Sequence, residues 1–296
     1  IGLVFNIANN NLIKIEDVDA DDSSGTGIVR VTLGVAKGSL TLSSTNGINF
    51  AQNSSNGTSS LIFTGKVADI NRALDGLAYS GNLNQNGADT LNIRTEDLGN
   101  FGEGGDKIAE SSINITIDAV NDPPVNTVPI AQSVDEDTDL IFSGNNQNKI
   151  KVGDVDVNQG TGLLEVTVSV SEGVLTLSDT TNINIVSNDG NGQSSITFSG
   201  NIDGINNALD GLKYRGNENF NGTDILNITT KDNGNFGEGE NLTDSKTVEI
   251  TVNAANDGPI NTFPQTQIVS EDNDLVFSDN NQNTISVSDI DAGEGT

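Results

Sequence analysis

Pairs of aspartates separated by a single residue are the side chains in this sequence best placed to do chemistry. They occur three times, as Asp17 and Asp19, Asp154 and Asp156, and Asp289 and Asp291. Each pair follows a predicted strand, at residues 13–15, 150–152 and 285–287. Residues i and i+2 of an extended chain point to the same side, so the two carboxylates converge where the strand leaves its sheet. Such pairs are plausible calcium ligands. An Asp-rich turn is the alternative, and the threefold recurrence favours metal.

A second group of oxygen-bearing side chains lies in two matching linkers. Residues 118–129 read DAVNDPPVNTVP, and residues 253–264, about 135 positions later, read NAANDGPINTFP. Prolines end the strand-like alternation there, because they prevent further ladder pairing and hold the backbone extended. The linker side chains that could donate oxygen to calcium are Asp118, Asn121, Asp122, Asn256 and Asp257. A polar linker stiffened by proline is the alternative, and both descriptions can hold together.

Two further acids, Asp97 and Asp232, occupy matching positions after predicted strands. They lie in the sequences EDLG at residues 96–99 and KDNG at residues 231–234. Because Asp-x-Gly is ordinary turn chemistry, these acids by themselves say little about metal. They become candidate ligands only together with the other acidic groups.

The composition restricts any metal chemistry to oxygen donors. The chain has 42 acidic and 13 basic residues, a net charge of −29, and no Cys, His, Met or Trp. The absence of Cys and His excludes a cysteine nucleophile, a Ser-His-Asp triad, and zinc or haem sites of the usual ligand types. We expect no nucleic-acid partner, because this surface would repel phosphate. We expect no membrane insertion, because no apolar run approaches roughly 20 residues.

The acidity also indicates the surroundings of the protein. Two carboxylates about 4 Å apart repel by roughly 1 kcal/mol in water and by about 4 kcal/mol at a partly buried site. Dense Asp clusters therefore favour a calcium-rich setting, outside the cell or at its surface. The chain opens inside one repeat and stops inside another, so we expect it to be a piece of a longer protein.

Internal repetition predicts the elements that position these acids. We predict modules at residues 1–124 (first strand missing), 125–259 (complete) and 260–296 (the start of a third). Apolar residues alternate at Val29, Val31 and Leu33, which predicts half-buried antiparallel strands, and many short strands predict an all-β sandwich. Residues 67–77 and 202–212 instead show helical spacing, which predicts a short crossover helix per module. Tyr79 and Tyr214 follow these helices and are expected to cap each core.

The order of these motifs resembles that of cadherin repeats. The EDLG motif, a strand and then residues 118–124 are similar to the end of a cadherin repeat, with its A-x-D-x-G and D-x-N-D-N-x-P patterns. The pair Asp154 and Asp156 is similar to the cadherin D-x-D. Glu136 and Glu271 lie where cadherins place their early glutamate. Over essentially the whole chain, the repeat of about 135 residues is similar to the bacterial cadherin-like tandem repeats of very large surface adhesins.

This resemblance implies cadherin- or Ig-like sandwich modules arranged end to end, with calcium bound between them. The first joint would use Asp118, Asn121, Asp122, Asp154, Asp156 and Asp232. The second would use Glu136, Asn256, Asp257, Asp289 and Asp291. The linker is one residue longer than in cadherins, Gly258 stands where the first linker has Pro123, and no counterpart of the cadherin D-R-E is present. These departures imply fewer ions per joint and a weaker second joint.

The sequence therefore predicts a non-enzymatic structural segment of an extracellular bacterial adhesin or fibre, stiffened by calcium. Its partners would be neighbouring modules and, in a fibre or surface layer, other copies. A self-assembling sheath, surface layer or filament, or a carbohydrate-binding module, is the alternative. A glycosidase using paired carboxylates fits least, because the pairs recur in every module and aromatic residues make up only 4% of the chain.

Overall fold

Two compact units make up the protein in its computed structural model, which describes residues 2–19, 26–99, 104–234 and 236–292. The first unit comprises Ile1–Asn121 with Phe236–Gly239, and the second comprises Asp122–Asn235 with Glu240–Thr296. Neither contains a helix, among the residues described, that is long and apolar enough to cross a bilayer.

The first unit is a two-sheet sandwich. Its elements in the described residues are β1 (Leu3–Phe5), β2 (Ile28–Gly34), β3 (Gly38–Thr41), β4 (Asn49–Phe50), β5 (Ser60–Lys66), α1 (Val67–Leu74), β6 (Leu77–Gly81), β7 (Gly87–Glu96) and β8 (Ile108–Ile117). One antiparallel sheet has the order β4-β5-β2-β7-β8 and the other the order β1-β6-β3. Alternate residues of β2, Val29, Val31 and Leu33, are fully buried in the core between them. The helix α1 carries the chain from one sheet to the other and buries Ile70 and Leu74.

The second unit repeats this order of elements and adds short strands before, within and after it. Its elements are β9 (Val125–Thr127), β10 (Gln132–Asp135), β11 (Asp139–Phe142), β12 (Lys151–Gly153), β13 (Leu164–Ser169), β14 (Gly173–Thr176), β15 (Ile183–Ser187), β16 (Ser195–Gly200), α2 (Ile202–Leu209), β17 (Leu212–Gly216), β18 (Gly222–Lys231), β19 (Thr243–Asn253), β20 (Ile260–Thr262) and β21 (Ser286–Ser288). Two 3₁₀ turns lie at Val157–Gln159 and Asp279–Asn281.

The sheets of the second unit enclose one apolar core. A six-stranded sheet has the order β10-β19-β18-β13-β16-β15, and a three-stranded sheet has the order β11-β17-β14. All pairs are antiparallel except β10 with β19. Two antiparallel pairs, β9 with β12 and β20 with β21, form separate small ladders. Asn201 caps α2, because its side chain accepts a hydrogen bond of 2.7 Å from the Gly204 N–H.

The all-β sandwich with a crossover helix, predicted from sequence, is confirmed. The predicted helices end earlier than expected, at Leu74 and Leu209, and Leu77 and Leu212 begin the next strands. The strand predicted at residues 13–15 is wrong, since those residues form no strand. Its counterpart β12 is a strand because it pairs with β9, and residues 13–15 have no such partner in the described chain.

A buried aspartate, rather than solvent, receives each tyrosine hydroxyl. Tyr79 is 3% exposed and donates to Asp89 Oδ2 over 2.8 Å, and Asp89 also accepts the backbone N–H groups of Ala36 and Lys37. Tyr214 and Asp224 repeat the arrangement at 3.1 Å. Burial and the nearby Asp89 raise the pKa of Tyr79 to about 12. Each Tyr–Asp pair therefore links two strands to the neighbouring turn. The repeated pattern of a Tyr followed by Asn-Gly-x-Asp could have indicated this role from the sequence.

Candidate calcium sites

The pairing of β9 with β12 determines the surroundings of Asp154 and Asp156. Asp154 follows β12 directly, and Asp122 lies just before β9, so the antiparallel pair brings these residues to the same end of the ladder. The Asp122 N–H donates to Asp156 Oδ2 over 2.9 Å. The N–H groups of Asp156 and Val157 both donate to Asp154 Oδ1 over 3.1 Å. One oxygen of each paired aspartate is thereby held in place.

The other oxygen of each aspartate in this pair lacks a partner. Asp154 Oδ2 and Asp156 Oδ1 are both buried without a hydrogen bond, and Asp156 is only 4% exposed. Burial, together with the neighbouring carboxylate of Asp156, raises the pKa of Asp154 to about 6. A buried carboxylate oxygen without a partner is costly unless a cation or a proton lies against it. We name Asp154 and Asp156, with the Asp122 backbone N–H that contacts Asp156, the first acidic cluster.

A second acidic cluster consists of Glu136, Asp257 and Asp291. One carboxylate oxygen of each residue lies within 4.8 Å of a carboxylate oxygen of each of the other two. Among the described residues, these three acids therefore lie close enough together to share one ion. The Asp257 N–H donates to the Asp291 carboxylate, as the Asp122 N–H does to Asp156. The pairing of β20 with β21 thus brings Asp257 and Asp291 together, as the pairing of β9 with β12 brings Asp122 and Asp156 together.

Glu136 is fixed by the end of β19. The strand β10 runs parallel to the last residues of β19, and the Glu136 N–H donates to Asn253 O over 2.9 Å. Glu136 Oε1 accepts the Ala255 N–H over 2.6 Å, and the residue is 4% exposed. Asp257 Oδ2 is buried and has no hydrogen-bond partner. Burial raises the pKa of Asp257, and the negative charges around it, Asp291 first among them, raise it further.

The other predicted ligands of the second unit lie around these clusters with different contacts. Asp289 Oδ1 accepts the N–H groups of Asp291 and Ala292, which shapes the turn that presents Asp291. Asn256 is exposed and donates to Asp257 O, and Glu271 is exposed. Asp232 is fully buried, and its Oδ1 closes a loop by accepting N–H groups from both ends of it, at 2.8 Å each.

In the first unit, the predicted ligands have turn contacts. Asp97 Oδ1 accepts the N–H groups of Gly99 and Lys107, and these bonds hold the pKa of Asp97 below its usual value. Asp17 Oδ1 accepts the Asp19 N–H over 3.0 Å, the same turn as in the later pairs, but Asp19 is exposed. No third acid gathers with this pair among the described residues.

The two linker residues assigned to the first unit have different exposures. Asp118 is exposed, whereas Asn121 is 5% exposed. The backbone around them bridges to Glu238, because the Asn121 N–H donates to Glu238 O and the Glu238 N–H donates to Ala119 O. The linker that the sequence predicted is therefore a structured segment. Its contact with the loop at residue 238 could not be predicted, because no sequence pattern indicates it.

The donor set fits calcium. Each cluster offers carboxylate oxygens, at least one of which is buried without a partner, and the chain contains no His or Cys that would favour another metal. Asp154 and Asp156 could hold one ion beside the Asp122 backbone, although no third carboxylate joins them within the same distance in the described residues, and Glu136, Asp257 and Asp291 could hold a second. Sequence reasoning named all six, but it did not distinguish them from exposed acids such as Asp19.

Comparison with known proteins gives one partial family match and several remote structural likenesses. A family model described as the Protein GAMETE EXPRESSED 2 domain matches residues 141–239. No curated protein matches the chain.

Among solved structures, the chain is similar to human CDH23 EC21-23, with 10% identity and a TM-score of 0.33, over 93% of this chain and 77% of that one. It is similar to mouse Cadherin-23 EC22-24, with 15% identity and a TM-score of 0.29, over 79% of this chain and 57% of that one. It is also similar to the C-terminal domain of the Streptococcus pyogenes antigen I/II-family protein AspA, with 10% identity and a TM-score of 0.24, over 80% and 88% of the two chains. The assignment of function depends on this chain's own residues.

Proposed function

We propose that this chain is a non-enzymatic, calcium-binding structural segment of an extracellular bacterial adhesin or surface fibre. The observation that supports the proposal most directly is the pair of buried, unpartnered oxygens of Asp154 and Asp156. In the proposal, calcium satisfies them and holds linker residue Asp122 beside them. The second ion does the same for Asp257, so that the linkers at both ends of residues 125–259 become stiff.

An enzyme would use such a carboxylate pair differently. A general acid with a pKa near 6 suits glycoside chemistry, and Asp154 has such a pKa. However, the arrangement recurs: the Asp122 N–H bonds Asp156, and the Asp257 N–H bonds Asp291. A catalytic pair belongs to one substrate pocket, whereas a repeated pair that grips its own linker backbone is expected of a structural ion site.

Calorimetric titration of the 296-residue chain with calcium tests the proposal. We expect two sites in the range of about 10⁻⁴ to 10⁻³ M, typical of extracellular calcium modules. Asp156→Asn should remove one site, and Asp257→Asn should remove the other. Asp19→Asn is the matched control, because Asp19 has the same motif position but is exposed. It should leave both sites unchanged.

The titration also has clear contrary outcomes. The absence of binding heat up to tens of millimolar calcium would refute calcium binding. Equal losses in Asp156→Asn and Asp19→Asn would refute the assignment of the ions to these clusters. Hydrolysis of a polysaccharide by the wild-type chain, abolished in Asp154→Asn, would refute the non-enzymatic role.

A further inference from the structure

One repeated motif takes no part in either acidic cluster. The sequence Asn-Phe-Gly-Glu-Gly occurs at residues 100–104 and again at residues 235–239. Residues 100–103 of the first copy lie outside the described residues. The second copy belongs to the loop that joins β18 to β19, and its residues 236–239 are grouped with the first compact unit. We name residues 236–239 the linker-binding loop, because they contact residues 119–121 of the linker.

The linker-binding loop contacts the linker through main-chain atoms. The Glu238 N–H donates to Ala119 O over 2.9 Å, and the Asn121 N–H donates to Glu238 O over 3.1 Å. These bonds form a parallel bridge between Val120 and Glu238. Both bonds use the backbone of Glu238, and the residue is exposed. The contact therefore does not require the Glu238 carboxylate.

Two glycines permit this close approach of the two backbones. A Cβ at Gly237, whose φ is +90°, would lie 2.8 Å from the carbonyl carbons of Ala119 and Val120. Because these are backbone atoms, they cannot turn aside as the end of a side chain can, and the linker itself would have to move. A Cβ at Gly239, whose φ is +148°, would lie 3.2 Å from Asn121 Cβ. The Gly-x-Gly part of the motif is therefore fitted to the linker backbone.

The bound part of the linker leads directly into the first acidic cluster. Asn121 is 5% exposed and immediately precedes Asp122. The Asp122 N–H donates to Asp156 Oδ2 over 2.9 Å, and Asp156 Oδ1 is buried without a partner. Since each peptide unit is planar, hydrogen bonds from two successive N–H groups fix the direction of the chain between them. The linker-binding loop therefore restricts where Asp122 can lie relative to Asp156.

We propose that the linker-binding loop orders the linker in the absence of metal and thereby positions Asp122 for the first calcium ion. The calcium part of this inference rests on the proposed function, whereas the ordering of the linker does not. A linker that is already ordered loses less conformational entropy when the ion binds, so the loop should strengthen the first site. Glu136 of the second acidic cluster is bonded instead to Asn253 and Ala255, so that site should not depend on the loop.

Amide hydrogen exchange of the full chain in chelator, resolved by NMR, tests the ordering of the linker. We expect slow exchange of the N–H groups of Asn121, Asp122 and Glu238 in the wild type. Gly237→Ala should speed exchange at all three by about tenfold. Gly192→Ala is the matched control, because Gly192 has a φ of +62° and nothing lies within 4 Å of a Cβ there. It should leave the three rates unchanged.

The exchange experiment also separates the backbone of Glu238 from its side chain. Glu238→Ala retains both main-chain hydrogen bonds, so the N–H groups of Asn121 and Asp122 should exchange as slowly as in the wild type. Fast exchange of these N–H groups in the wild type would overturn the proposal. Equal effects of Gly237→Ala and Gly192→Ala, or rapid exchange in Glu238→Ala, would also overturn it.

Calcium titration tests the positioning of Asp122. In an Asp257→Asn background, which retains the first site, Gly237→Ala should weaken calcium binding by about threefold or more. In an Asp156→Asn background, which retains the second site, Gly237→Ala should leave binding unchanged, and that intact site also shows that the variant is folded. Equal weakening in both backgrounds, or no weakening in the first, would refute the positioning role.

Failure of the proposed function gives a different result from failure of this inference. If the wild-type chain binds no calcium, the proposed function and the positioning role both fail, and the exchange rates in chelator still decide whether the loop orders the linker. If the wild-type chain binds calcium at both sites and Gly237→Ala changes neither, only the inference about the loop fails.

Discussion

Replacing Asp156 with asparagine is expected to change the stability of the second unit in opposite directions with and without calcium. Without calcium, Asp154 Oδ2 and Asp156 Oδ1 are buried together without hydrogen-bond partners. The substitution removes one of the two like charges and retains an oxygen able to accept the Asp122 N–H. The variant should therefore be more stable than the wild type in chelator and less stable in calcium.

The raised pKa of Asp154 sets the size of the effect in chelator. A rise from 3.8 to about 6 corresponds to roughly 3 kcal/mol in full. Burial is the largest cause of the rise, and Asp154 is only half-buried, so solvent screens the charge. We expect Asp156→Asn to stabilise the calcium-free unit by about 1 kcal/mol at pH 7. At about 10 mM calcium, one site stabilises the wild type by about 1.4 to 2.7 kcal/mol, which the variant loses.

Urea unfolding followed by tyrosine fluorescence measures both effects. The chain has two tyrosines and no Trp, so in a Tyr79→Phe background Tyr214 alone reports the second unit. Asp19→Asn is the control and should change neither condition. A variant that is less stable than the wild type both in chelator and in calcium would refute the like-charge explanation.

The pH dependence of the calcium-free protein provides a second check on Asp154. The folded-state pKa of this group is raised, so its contribution to stability is fully present below about 3.8 and is lost as pH rises through about 6. The second unit should therefore lose stability between about pH 4 and pH 7 in chelator. Asp156→Asn should flatten this slope, and an unchanged slope would contradict the assignment.

Two further predictions concern the first unit, with Tyr79 fluorescence in a Tyr214→Phe background as the measurement. Asp89→Ala should destabilise it by about 3 to 5 kcal/mol, because it leaves the Tyr79 hydroxyl and two backbone N–H groups unpaired. Burial opposes ionisation of Asp89, but these hydrogen bonds lower its pKa to about 2. The stabilisation that ionised Asp89 provides is therefore lost as pH falls from about 4 towards 2. In Asp89→Asn, the stability of the first unit should no longer fall over this pH range. Gly38→Ala should lower the free energy of unfolding by about 1 to 3 kcal/mol, because a Cβ there would lie 2.5 Å from the Tyr79 ring. Gly34→Ala is the control and should have little effect, because nothing lies within 4 Å of a Cβ at that position.

Local periodicity was sufficient to predict most of the elements. The alternation at Val29, Val31 and Leu33 predicts β2 because side chains of a strand alternate between core and solvent. Helical spacing located α1 and α2. The helical spacing extended each predicted helix one apolar residue too far, because Leu77 and Leu212 satisfy that spacing and also begin a buried strand. Such a residue is assigned only by what it packs against.

The strand predicted at residues 13–15 shows the same limit for sheets. Its sequence matches that of β12, yet only β12 has a partner strand, β9, in the described residues. A strand exists by pairing, and its own sequence does not contain the partner. The parallel pairing of β10 with β19 likewise could not be read from either strand alone.

By itself, the sequence determined the chemistry available to this protein: oxygen donors, strong negative charge and a recurring Asp-x-Asp. Tertiary structure alone decided which copies of that motif are buried beside a linker residue. Asp19 and Asp156 occupy the same motif position, but Asp19 is exposed and Asp156 is 4% exposed with an unpartnered oxygen. The physical reason is that burial depends on distant segments: the pairing of β9 with β12 brings the Asp122 N–H against Asp156.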